Sequence, residues 1–313
     1  MKAGRLKVTG RFVDGYVTGL GVCLERPPAT RLFIGQPPER VLATLPLIFS
    51  LCGQAHALAA RHALAAARGE APPAMDALPL WAESLHERLW RLLLDWPVAL
   101  GLAPATDAFR RWRAARTGAD LAAATEGLFA EILIGPHSDR GAPPSPDSIA
   151  GRCLARLGAA PDSPPPILDA DAWLAACLDK PSATVTLAPP SAAAAYQALL
   201  AAARRDLDAL RQAAPYPVAA RAQGSFGAAQ TLTARGLLGH GMRLECGLIR
   251  DYHMRAPTDA HFADAGCLTR VLGAAPFADP AAARRALALA ILALDPCVRS
   301  EEHTSELQSP LNI

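Results

Sequence analysis

Residues 49–59 read Phe49-Ser50-Leu51-Cys52-Gly53-Gln54-Ala55-His56-Ala57-Leu58-Ala59, and the Ala- and Leu-rich run continues to Arg68. Alanine and leucine lose little on entering a helix, so a helix is predicted from about Phe49 to Arg68. Pro46 stands as the break before it. Spacings of three and four residues put Cys52, Ala55, His56 and Ala59 on one face. On pattern alone, a Cys and a His four apart on such a helix are more often core residues than ligands. A second cysteine stands near the other end of the chain, in Asp295-Pro296-Cys297-Val298, at the close of the last helical run. The two sites together predict a fold that brings two thiolates to one buried point.

Around these anchors the chain reads mostly as helix. Residues 5–25 predict a β-hairpin, because Leu6, Val8 and Phe12 precede the turn pair Asp14-Gly15 and Tyr16-Val17 begin the return. Pro37-Pro38 starts a helix at Glu39 that runs to about Thr44. A long helix is expected from about Asp76 to Trp96, striped by Leu85, Leu89, Leu92 and Leu93, with Pro97 as its limit. Further helices are expected over Thr106–Arg116, Asp120–Ile132, 169–179 and 191–213. Residues 135–148 and 159–167 are Pro-rich connectors. Residues 230–257 change period and predict a second hairpin around Glu245-Cys246-Gly247. A final helix runs from Pro280 to Leu294. The fold class is mainly α with two small antiparallel β-hairpins. Residues 1–298 read as one domain, since the helices on both sides of each connector are equally apolar and none repeats at a fixed period.

Composition narrows the function. Net charge is +2, too small for a strong nucleic-acid or membrane-surface field. No run of about 18 apolar residues is present, so no membrane span is predicted. Seven cysteines, an odd number without dense spacing, do not make a disulfide framework, and Met1-Lys2-Ala3-Gly4-Arg5 is not followed by a signal core. A soluble cytoplasmic protein with reduced thiols is expected. No phosphate-binding loop, dinucleotide fingerprint or Ser-His-Asp order is evident. Residues 299–313 are set apart: Arg299-Ser300-Glu301-Glu302-His303-Thr304-Ser305-Glu306-Leu307-Gln308-Ser309 matches the translation of a common sequencing-library adapter, and the segment is read as a non-native tail.

Four stretches in order carry a family resemblance. They are the N-terminal hairpin with Arg31 to Pro38, the Phe49–Ala59 stretch, Thr233-Ala234-Arg235-Gly236 with the hairpin after it, and Asp295-Pro296-Cys297. The chain resembles the large subunit of nickel-iron hydrogenases and, more closely, the HupK/HoxV-type assembly proteins, non-catalytic relatives of that subunit. The resemblance implies a hydrogenase large-subunit-like fold, reduced in size. The family writes Cys-x-x-Cys-x-x-x-His in the second stretch. Cys52 and His56 fit its second cysteine and its histidine, while Phe49 stands in place of the first cysteine. In the third stretch the family writes Glu-Ala-Pro-Arg-Gly. Arg235 and Gly236 are kept, Ala234 replaces the Pro and the Glu is absent. The family ends on Asp-Pro-Cys-x-x-Cys, whose second cysteine would fall at Ser300, inside the suspected adapter.

In the enzymes, as the resemblance implies, four cysteines hold nickel and an iron that carries two cyanides and one carbon monoxide. Phenylalanine has no lone pair to donate, so Phe49 argues against a complete nickel site. Cys52 matches a bridging position that also touches iron, and Cys297 a terminal nickel ligand. These two thiolates could still hold the Fe(CN)2(CO) fragment transiently, since soft thiolates suit iron. Arg235 would offer a guanidinium to cyanide, His56 would steady the Cys52 sulfur, and Asp295 would orient Arg235 or cap the loop. The expected function is non-catalytic: a maturation scaffold that receives the fragment and passes it to the immature hydrogenase large subunit. A HypC-type chaperone and a HypD-type assembly factor would be its partners. Two rivals stay open, a divergent hydrogen-activating subunit and a cofactor-free chaperone of assembly.

Plainer readings stand beside these. Cys297 could be a buried helix-terminal thiol, Arg235 a solvated arginine and Asp295 a turn residue. Cys23, Cys153, Cys177, Cys246 and Cys267 show no ligand spacing and default to small buried hydrophobes. His240, His253 and His261 cluster loosely around the second hairpin and are given no role. Arg110-Arg111-Trp112-Arg113 reads as a solvated helix face.

Overall fold

A computed structural model describes residues 4–26, 29–49, 51–118, 120–135, 143–158 and 189–297. The expected helix at 169–179, the connector at 159–167, half of the connector at 135–148, and the tail from 299 lie outside the described residues.

The N-terminal hairpin pairs β1 (Arg5–Val13) with β2 (Tyr16–Glu25), antiparallel. Its turn forms where predicted, with Asp14 and Gly15 both at positive φ (49° and 86°), as a tight hairpin turn demands. Helix α1 (Pro38–Ile48) runs past the expected end at Thr44, because Pro46 sits in its last turn and does not break it. The chain then leaves helical geometry at Phe49 and re-enters at α2 (Gly53–Arg68), so Cys52 is the residue before the first turn and not part of it.

Helix α3 (Leu78–Trp90) leads into a π-helical turn (Arg91–Asp95) and a short helix, α4 (Trp96–Ala99). Pro97 was expected to end this run. It does not, because the carbonyl it leaves without a partner four residues back, that of Leu93, accepts a hydrogen bond from the Ala105 N–H at 2.9 Å. Helices α5 (Thr106–Ala115), α6 (Leu121–Leu128) with a second π turn (Phe129–Leu133), α7 (Ile149–Leu157) and α8 (Ala192–Arg211) follow. They enclose the largest core, around Leu89, Leu92, Leu93, Trp96, Trp112 and Tyr196. Arg110, Arg111 and Arg113 are exposed, as the sequence predicts, but Trp112, read as part of the same solvated face, turns inward: it is buried there and donates to Thr125 Oγ1.

The second β region is larger than one hairpin. Strands β3 (Val218–Gln223), β4 (Phe226–Thr233), β5 (Gly236–Glu245) and β6 (Leu248–Arg255) form a four-stranded antiparallel meander in sequence order. The predicted hairpin is its β5–β6 half. The outer half was missed because β3 is almost all Ala, Arg and Gln, and β4 carries no alternation: seven of its eight residues are buried. Helix α2 lies across this sheet. A Cβ at Gly227 would sit inside the backbone of Ala63 and Ala67, so glycine there is what lets the helix approach. Val41, Leu45, Ala60 and Ala63 pack on Ala229, Met242, Ile249 and Tyr252 beneath it.

Short helices α9 (Pro257–His261) and α10 (Gly266–Leu272) lead to α11 (Pro280–Leu294), whose bounds are those predicted. The N-terminal hairpin folds onto this C-terminal part through Val8, Phe262, Leu268, Leu287 and Leu294. Cys153 and Cys267 are buried as expected. Cys23 and Cys246 are exposed and correct that default: Cys23 faces outward from the hairpin, and Cys246 occupies the β5–β6 turn at φ 49°. Cys177 lies outside the described residues.

Candidate functional site

Two chain ends meet at Cys52 and Cys297. Cys52 is 7 % exposed and packs with Ala55, Leu238, Phe49, Met254 and Cys297. Its sulfur and that of Cys297 are within hydrogen-bonding contact. Cys297 is held by its backbone on both sides. Its N–H donates to the fully buried Thr258 Oγ1 at 2.8 Å, and its carbonyl accepts from Arg26 Nη2 at 3.3 Å. Arg26, at the end of the N-terminal hairpin, also pairs with Asp259 at 2.9 Å.

Arg235 lies in the turn between β4 and β5, which Thr233 Oγ1 braces by accepting from the Arg235 N–H at 3.2 Å. Arg88 anchors the same turn by donating to the Ala234 carbonyl at 2.9 Å, and Asp206 holds Arg88 at 2.7 Å. The Arg235 side chain is 3 % exposed. Its Nη2 donates to Glu87 at 2.8 Å and its Nε to Asp295 at 3.3 Å; among the described residues no hydrogen bond is taken up at Nη1. Asp295 caps α11 at φ 45°, a left-handed conformation that costs a non-glycine residue about 1 kcal/mol or more. That conformation is held by Arg91, 2.6 Å from the Asp295 carboxylate, as well as by Arg235. Arg91 stands in the π turn, which supplies both it and its second partner Asp95.

The charges follow. Burial works against the Arg235 cation, but Asp295, Cys297 and Glu87 outweigh it and push its pKa up. Burial likewise opposes the Asp295 carboxylate, yet Arg235 and Arg91 hold it below the usual range. The two thiols share one proton unequally. The hydrogen bond from Cys52, with Arg235 and Arg26 nearby, brings Cys297 down to about 6. That same bond, with burial and the Cys297 charge, pushes Cys52 well up. At neutral pH the pair is a Cys297 thiolate accepting from the Cys52 thiol. Glu83, whose carboxylate accepts from the Gln54 and Ala55 N–H groups (2.8 and 3.0 Å) at the start of α2, is pushed up to about 7 by burial.

The Phe49 ring stacks flat on His56, centroids 4.0 Å apart at 12°. His56 Nδ1 lies 2.9 Å from His240 Nε2, and His240 Nδ1 lies 2.6 Å from Tyr252 Oη. The remaining ring nitrogen of His56 is Nε2. All five residues singled out in the sequence, Cys52, His56, Arg235, Asp295 and Cys297, lie in this one region. Sequence reading missed Arg26, Glu83, Glu87, Arg91, His240 and Thr258. Only His240 gave any signal, as one of three histidines loosely clustered around the second hairpin, and it was given no role. Among the described residues no group of three or more His, Cys, Asp or Glu side chains is placed to hold a metal, so the thiol pair is the donor set at hand. A groove of about 1460 Å³ has Arg235, Asp295, Met254 and Arg91 among its lining; neither cysteine lines it.

No protein-family model matches the chain. It is 32% identical to the hydrogenase expression/formation protein HupV of Azotobacter chroococcum and 32% identical to HupK of Azotobacter vinelandii, in each case over 96% of this chain and 98% of the relative. A shorter match, 39% identical over 33% of the chain and 27% of the relative, is to HoxV of Cupriavidus necator. Among solved structures, the Ni-Fe-Se hydrogenase of D. vulgaris Hildenborough matches 94% of this chain and 98% of its own, with a TM-score of 0.56 and 13% identity. That likeness establishes the expected hydrogenase large-subunit fold and nothing further.

Proposed function

We propose, from the premise that the chain belongs to the HupK/HoxV family of hydrogenase expression/formation proteins, that it takes part in hydrogenase assembly by holding an Fe(CN)2(CO) fragment in transit. The observation that carries this reading is the contact between the Cys52 and Cys297 sulfurs beneath the Arg235 guanidinium. The fragment is cargo. Iron accepts thiolate donors, and Cys297 already stands in that form. Loading costs the pair its remaining proton, which leaves from Cys52. The free Nη1 end of Arg235 suits the nitrogen end of a cyanide, an acceptor that needs a donor in a dry site.

Two protein sulfurs make a weaker anchorage than four, which favours release to a receiving site with more. The groove lined by Arg235 and Asp295 brings solvent to the arginine side of the site. By the family relation the receiver would be the immature large subunit, and the donors a HypC-type chaperone and a HypD-type assembly factor. The role is non-catalytic. The test is infrared spectroscopy of protein purified without oxygen from cells that also make the maturation proteins. Cyanide and carbonyl bands are expected, and their absence under full co-expression removes the carrier role.

Phe49 supports this reading over the divergent-enzyme rival. Its ring lies against His56, where the resemblance puts a nickel-binding cysteine, and offers no donor. Stoichiometric nickel with hydrogen uptake would restore that rival. Unchanged hydrogenase maturation in both Cys52→Ser and Cys297→Ser would favour the cofactor-free chaperone.

A further inference from the structure

One buried polar chain lies apart from the arginine network and runs from His56 into the sheet. His56, His240 and Tyr252 are each 5 % exposed or less and run in line, Nδ1 of His56 to Nε2 of His240 at 2.9 Å and Nδ1 of His240 to Tyr252 Oη at 2.6 Å. Burial keeps both imidazoles neutral, His240 with a pKa down to about 3. A neutral imidazole has one N–H and one lone pair, so the chain can run in only two directions. Tyr252 decides between them. Burial pushes its pKa up, so its hydroxyl keeps a proton, and among the described residues its acceptor is His240 Nδ1. Were that nitrogen protonated, the hydroxyl proton would be stranded in the interior, which is costly.

We propose that Tyr252 and His240 are positioning residues for His56. Tyr252 donates to His240, His240 Nε2–H donates to His56 Nδ1, and His56 is left with its proton on Nε2. The His56 imidazole, four residues along from Cys52 in the first turns of α2, therefore presents a hydrogen-bond donor and no lone pair. It serves the sulfur, or an anionic ligand of the cargo, as a donor. It is not a third ligand to the iron. Phe49, stacked on the ring, keeps it from turning over.

What the donor serves rests on the carrier reading above. The tautomer does not, and it is measured without cargo. The test uses the full chain, metal-free, with nitrogen-15 in its histidines, and reads the long-range proton–nitrogen correlations that distinguish bare from protonated ring nitrogens. His56→Gln and His240→Gln assign the signals. In the wild type both His56 and His240 should be bare at Nδ1 and protonated at Nε2. Tyr252→Phe removes the hydroxyl alone and should move the His240 Nδ1 resonance toward that of an unbonded bare nitrogen. Either histidine protonated at Nδ1 in the wild type overturns the proposal. So does a folded Tyr252→Phe protein whose His240 Nδ1 resonance has not moved. If the tautomers are as stated and no cyanide or carbonyl band is found, the carrier reading fails and the positioning chain stands.

Discussion

Cys52, at the entrance to one helix, and Cys297, just past the exit of the last, pack together in one apolar cluster, and the charge of each thiol depends on the other. Charge acts on the two thiols unequally: the Cys297 charge, Arg235 and Glu83 act on Cys52, and Arg235, Arg26 and Asp295 on Cys297. Arg235 and Arg26 both favour its thiolate, while Cys52 keeps the proton.

That asymmetry sets a pH dependence. Cys297 titrates from below: under about pH 6 both thiols are protonated, and above it Cys297 is the nucleophile. Alkylation of Cys297, followed by peptide mass spectrometry, should be half-maximal near pH 6. In Cys52→Ala the donor is gone, and the midpoint should rise toward the value of a free thiol, about 8.5. A wild-type midpoint already at that value would show that the pair is not coupled.

Glu83 gives a second pH window, with the opposite consequence. Its folded value of about 7 lies above the ordinary 4.5, so the folded protein holds an extra proton between them. Stability from this group is full below 4.5 and is lost as pH rises through 7. At 1.36 kcal/mol per pH unit the window corresponds to about 3 kcal/mol. Urea unfolding of wild type and Glu83→Gln at pH 5 and pH 7.5 should show the wild type losing more on going up. Parallel pH profiles would place Glu83 in water.

Arg235 is the cation on which two buried carboxylates depend. Arg235→Gln leaves Glu87 without its guanidinium and Asp295 with Arg91 alone, and should cost about 3–5 kcal/mol in urea unfolding. Arg235→Lys keeps the charge but cannot span both carboxylates, so it should recover only part of that loss. Equal stability of all three proteins would remove Arg235 from the centre of the network.

Thr258 fixes where Cys297 sits. Thr258→Val keeps the shape and deletes the acceptor of the Cys297 N–H, at about 1–3 kcal/mol for an unpaired buried donor. The same variant should shift the Cys297 alkylation midpoint, because the sulfur is no longer held against Cys52. Stability and midpoint both unchanged would mean that the backbone of Cys297 is placed by other contacts.

Much of this was legible in the sequence where a side chain's chemistry is local. The Asp14-Gly15 turn, the α11 bounds and the five chief site residues follow from spacing and family likeness. Prolines misled, because their effect depends on what else is nearby: Pro97 passes inside a helix only because Ala105 reaches back to Leu93. Strands β3 and β4 were hidden by alanine, which fits a buried strand as well as a helix. Partners such as Arg26, Glu87 and Thr258 could not be read at all. Their roles come from distances between elements far apart in the chain, and no local pattern marks a threonine that will meet Cys297.

The central claim is that one iron is held between Cys52 and Cys297. Iron K-edge X-ray absorption of the protein purified without oxygen alongside the maturation proteins tests it most directly. The expected result is two sulfur scatterers per iron in the wild type, and a smaller sulfur shell in each of Cys52→Ser and Cys297→Ser. Iron with no sulfur neighbours, a sulfur shell that neither substitution changes, or protein that carries no iron would contradict it.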